Sequence, residues 1–156
     1  MRKLLMVLAL ILSFLAPKAE RFEYEDIQLS FKDSFQIEVI LNGESEFYNK
    51  GEEKYNLILF EFEKMLQGSY QMPALGVSID ELTKEEKKSG VWLEFKFKGV
   101  NYNGDLPFEA LLVQVKEDYY GFNVIRKYEG KYDGRCFYIN LNDTNMNSLY
   151  MYLVNM

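Results

Sequence analysis

Between Val91 and Leu141 the chain repeats one pattern four times, an apolar or alternating run followed by a short polar connection. Val91, Leu93, Phe95 and Phe97 alternate with Trp92, Glu94, Lys96 and Lys98, the period of two expected of a strand with two different faces. A turn rich in Asn and Gly, residues 99–105, follows. Residues 108–115 are apolar on both faces, as in a central strand. Asp118 and Gly121 frame the corner before residues 122–128, and Glu129-Gly130 and Asp133-Gly134 precede the last run, 135–141. A parallel crossover needs about a dozen residues or more. None of these connections is that long, so the four strands are expected to run antiparallel as a meander. The aromatic content, 16% of the chain, favours strands as well.

The flanking segments predict the rest of an α+β fold. Phe35, Ile37, Val39 and Leu41 alternate up to the turn signal Asn42-Gly43. Residues 21–31 alternate with a phase slip at Glu25-Asp26, and the two runs are expected to form an N-terminal hairpin around Lys32-Asp33-Ser34. In residues 52–67, Tyr55, Ile58, Leu59, Phe62, Met65 and Leu66 recur at helical spacing before Gly68. Residues 68–80 hold Pro73 and Gly76 and read as a loop, with its apolar residues either tucked in or forming a lip for a partner. Thr83-Lys84-Glu85-Glu86 matches a capping box for a short helix, and Asn142-Asp143-Thr144 offers caps for a C-terminal one. The expected order is strand hairpin, helix, short helix, four-strand meander and C-terminal helix, in two-layer packing. At the level of element order alone this resembles the helix-grip arrangement. That resemblance implies an apolar ligand cavity beneath the C-terminal helix.

Residues 1–19 begin with Arg2 and Lys3 and continue as an uncharged aliphatic run from Leu4 to Ala16. The run suits the apolar region of a signal peptide and is shorter than the roughly 20 residues of a membrane span. Cleavage after Ala16 or Ala19 would set Phe14 or Pro17 where a small residue is preferred, so a short N-terminal anchor is the alternative. Residues 20–156 are expected to form a single α+β domain. The expected location is secreted or extracytoplasmic, with membrane anchoring through residues 1–19 or a cytoplasmic location as alternatives. The net charge of −6, with the acid concentrated in residues 20–90, disfavours phosphate backbones and anionic membranes. Nucleic acid is not expected as a partner, and a membrane only through an uncleaved N-terminal segment.

The chain has no histidine and one cysteine, Cys136. Imidazole-based nucleophile systems and His- or Cys-rich metal sites are therefore not expected in one chain. Phosphate-cradling glycine motifs are missing too. Asn142-Asp143-Thr144 fits a glycosylation sequon only by pattern, and residues 140–151 lack the Gly and Glu of a calcium loop. Carboxylates are left as the means of catalysis, so a small carboxylate-dependent hydrolase is an alternative. The favoured expectation is a non-enzymatic binding or interaction domain, without cofactor or metal, for an unknown protein or small-molecule ligand. If register aligned them, Trp92, Arg126 and Tyr138 would form an aromatic–cationic ligand patch on the sheet.

Overall fold

The computed structural model describes residues 27–156. The expected meander is present as β4 (Val91–Asn103), β5 (Leu106–Val115), β6 (Gly121–Lys127) and β7 (Gly134–Asn140), each antiparallel to the next. It forms the middle of a seven-stranded antiparallel sheet that also contains β1 (Gln36–Leu41), β2 (Glu44–Asn49) and β3 (Tyr70–Ser78), in the order β2-β1-β4-β5-β6-β7-β3. Three helices complete the α+β fold: α1 (Glu53–Met65), α2 (Asp80–Glu86) and α3 (Asn147–Val154).

The main core lies between one face of the sheet and the α1/α3 pair. Tyr55, Ile58, Phe62 and Met65 of α1 and Leu149 and Leu153 of α3 are buried there against Leu93, Phe95, Val113 and Val124 of the sheet. Glu53 in the first turn of α1 and Lys64 in its last suit the helix dipole. Thr144 ties the two helices together, its hydroxyl donating to Met65 O at 2.7 Å. The space beneath α3 is filled by Met146, Leu149 and Leu153, all buried.

Three sequence expectations are corrected. First, β1 does not pair with the segment before it. Phe31–Asp33 is a single 3-10 turn, and β1 forms its hairpin with β2 through Asn42-Gly43. Both turn residues have positive φ, 50° and 86°, which an Asn-Gly pair tolerates in a two-residue hairpin. Residues 21–26 of the expected strand lie outside the described residues. Second, most of residues 68–80 is not loop: β3 pairs antiparallel with β7, its register breaking between Met72 and Gly76. Pro73 falls within that irregular stretch of an edge strand, where a missing N–H is tolerated. Third, Thr83 does not cap a helix. It is buried inside α2, which begins at Asp80.

Candidate ligand-binding cleft

The sheet face opposite α1 and α3 is closed over one part and open over another. Trp92 on β4 is buried with Ile40, Leu112 and Tyr132, and its indole N–H donates to Ser89 O at 2.8 Å. Beside it Glu94 is buried as a carboxylate with three donors. Lys87 Nζ lies 3.0 Å away, Lys127 Nζ 3.5 Å and the Tyr132 hydroxyl 2.6 Å. Both ammonium groups also stand near the Tyr132 ring, 4.9 and 5.1 Å from its centroid. Asp80 draws the turn before β7 onto α2, accepting from Tyr132 N at 2.9 Å, while Asp133 accepts from Asp80 N at 2.7 Å.

The electrostatics of this cluster follow from its burial. Desolvation pushes the Glu94 carboxyl up, but Lys87, the Tyr132 hydroxyl and Lys127 outweigh it and hold the pKa below the ordinary value. Burial pushes the Tyr132 phenol up, and the Glu94 charge pushes it further. Tyr132 therefore remains a hydrogen-bond donor. Carboxylate, ammonium groups and phenol satisfy one another, which is the arrangement of a structural ion cluster.

The open part of the face is a cleft of about 540 Å³. Gln114 of β5, Asn123 of β6 and Tyr138 and Asn140 of β7 line it, and Tyr119 and Tyr120 stand at the corner before β6. Trp92 and Glu86 border its other side. Strand alternation accounts for the polar lining: the neighbours Val113, Val124 and Ile139 point into the main core. The corner is held by Asn147, which donates to Asp118 Oδ1 at 2.8 Å and accepts from Asp118 N at 2.6 Å. Gly121 makes room for the Tyr138 side chain, since a Cβ there would clash with Tyr138 Oη. Among the described residues, neither the side-chain amides of Gln114 and Asn123 nor the Tyr138 hydroxyl makes a hydrogen bond within the protein.

Trp92 and Tyr138 thus border one cleft, but Arg126 does not join them. Its partner on β5 is Leu111, a main-core residue, and its Nε and Nη1 donate to Arg135 O at 2.7 Å and Pro107 O at 2.5 Å. Desolvation lowers its pKa from the ordinary value. Tyr138 instead pairs with Asn123. Arg126 pins the ends of three strands where β6 and β7 diverge, and the expected aromatic–cationic patch is not assembled. Gln114, Asn123, Tyr119 and Tyr120 were not singled out by sequence reasoning. The sequence signal of Gln114 and Asn123 is a polar residue alternating with Val113, Val115, Phe122 and Val124 in strands otherwise rich in apolar residues, whereas Tyr119 and Tyr120 lie in the corner between β5 and β6 and carry no periodic signal.

Among the described residues, no group of three or more Cys, Asp or Glu side chains could hold a metal ion. No described helix is long and apolar enough to cross a membrane, and residues 1–19 lie outside the described residues. Comparison of the chain with protein-family models, curated proteins and solved structures returned no significant match in any of the three.

Proposed function

We propose that this chain is a non-enzymatic binding domain acting outside the cytoplasm, and that its cleft takes a neutral, hydroxyl-rich ring ligand of the saccharide type. The observation that carries this reading is the convergence of the Gln114, Asn123 and Tyr138 side chains without partners inside the protein. Amides and a phenol can both donate to and accept from hydroxyls, and none of these contacts calls for an opposite charge on the ligand. Exposed Tyr120 adds a flat aromatic face on which a sugar ring can lie, while Lys116 stands over the neighbouring Tyr119 ring, 5.0 Å from its centroid. Lys116 is offset by Glu86 and Asp118 in the lining, which disfavours a phosphate or other anion. The volume falls in the range of small-molecule sites, roughly 300–1,000 Å³. The segment 1–19, with its basic start and aliphatic run, supports the location.

Trp92 borders this cleft but is buried, so the heat of binding, read by isothermal titration calorimetry, reports occupancy. Titration with neutral trisaccharides of glucose, galactose, mannose and N-acetylglucosamine is expected to give a saturable change with at least one of them. Tyr138→Ala should weaken that binding about tenfold or more, as for a lost hot-spot contact, and leave the unfolding midpoint near that of the parent. No saturable response to any of the four, or binding indifferent to Tyr138→Ala, overturns the saccharide reading. Fractionation of the native host with N-terminal sequencing tests the location. Recovery outside the cytoplasm is expected, and an intact Met1 in the cytosolic fraction overturns it.

A further inference from the structure

The two edges of the sheet differ in a way the ligand cleft does not explain. β2 ends the sheet on one side and carries Glu44 and Glu46. In a chain of net charge −6, two copies meeting along that edge would set like charges together. Such charges are a usual protection of an edge strand. β3 ends the sheet on the other side, pairing with β7 alone among the described strands. From Gly68 to Ile79 the chain has no Asp, Glu, Lys or Arg. Leu75, Val77 and Ile79 alternate at the end of this run and are 80%, 71% and 59% exposed. The first half of β3 is interrupted by Pro73 and the register break, and Gln28 N donates to the Gln71 side chain there at 3.2 Å. From Gly76 to Ser78 the strand regains a regular register against β7.

We infer that this half of β3 is a self-association edge, and that its occupant is β3 of a second copy of the chain, antiparallel across a two-fold axis at Val77. The sequence of the edge is complementary to itself in that register. Val77 meets Val77 of the second copy and Gly76 meets Ser78, while exposed Leu75, next to the register break, and Ile79, the residue before α2, flank this three-residue register on either side. Apolar residues face apolar residues, small face small, and no charge stands opposite a like charge. An antiparallel pair about a two-fold is also the closed arrangement, which limits growth to a dimer. The contact is small beside the roughly 1,000 Å² or more of a stable interface, so the dimer is reversible rather than obligate.

Sedimentation equilibrium of the full-length protein from micromolar to millimolar concentration tests this. The parent is expected to reach a monomer–dimer equilibrium. Val77→Lys, which sets two ammonium groups against each other at the axis, should raise the dissociation constant at least tenfold. Leu75→Lys should act in the same direction, whereas Phe47→Lys on the β2 edge should not. Val77→Cys supplies a reading that does not depend on affinity. Residues directly opposite in an antiparallel pair have Cα atoms about 4.5–5.5 Å apart, within disulfide reach, so mild oxidation should give a covalent dimer. A parent that stays monomeric throughout overturns the inference. So does a dimer unaffected by Val77→Lys and not trapped through Val77→Cys, since association is then located elsewhere.

Discussion

Glu94→Gln should destabilise the protein by about 3 kcal/mol at neutral pH, the lower end of what removing one partner of a buried ion pair costs. The lower end applies because Lys87 and Lys127 keep 18% and 32% of their side-chain surface exposed and can turn toward water. Glu94 itself cannot, being 1% exposed between β4, Tyr132 and the end of α2. The substitution preserves shape, removes the charge and turns one accepting oxygen into a donating amide, so the loss reports the cluster and not a cavity. Its pH dependence has a definite sign. The folded pKa lies below the ordinary value of 4.5. The stabilisation is therefore fully present above that value and is lost as the pH falls through the lower folded pKa. Urea unfolding of the parent between neutral pH and pH 3 should show this acid-side loss, and Glu94→Gln should flatten it. Equal stability of the two proteins at neutral pH, or parallel acid limbs, would sink the assignment. The ligand cleft is lined by other side chains, so trisaccharide affinity should survive wherever the variant is folded.

Phe62→Ala should cost about 3–5 kcal/mol, the range for deleting a buried aromatic side chain. Phe62 is fully buried at the centre of the main core, its ring centroid 4.7 Å from Phe31, 4.7 Å from Phe95 and 6.1 Å from Phe122. The rings come from the 3-10 turn, α1, β4 and β6, so one truncation loosens elements far apart in sequence. Edge-on packing adds to the area effect. Leu57→Ala on the same helix is the control. Leu57 is 43% exposed, and its truncation should cost less than about 1 kcal/mol. Denaturant midpoints of the two variants check the contrast, and a Phe62→Ala loss no larger than that of Leu57→Ala would refute the proposed centre of the core.

Part of this molecule is legible because its signals are local. A strand that pairs with its neighbour across a short turn leaves both the alternation and the turn residues in a single stretch of chain. That is the case for β4 to β7 and for the Asn42-Gly43 corner. The helix of Tyr55, Ile58, Phe62 and Met65 is legible for the same reason, since a 3.6-residue period is complete within a few turns. β3 is different. Pro73 and Gly76 mark it locally as a loop, and only β7, more than fifty residues later, supplies the hydrogen bonds that make it a strand.

The candidate site divides along the same line. That Trp92 and Tyr138 stand on strands, with polar residues alternating around them, follows from the sequence. Which of those residues meet is a matter of register, and a shift by one residue moves a side chain to the opposite face. The pairing of Asn123 with Tyr138, and of Leu111 with Arg126, puts the first pair at the cleft and aligns the arginine with the main core. The sequence by itself determined the meander, the α1 helix and the absence of imidazole chemistry, because composition and short-range periodicity carry those. Only the tertiary structure decided that Arg126 pins carbonyls, that Glu94 is buried among lysines, and that an uncharged strand ends the sheet. Each depends on contacts between segments distant in the chain, and no local pattern encodes which of the possible contacts wins.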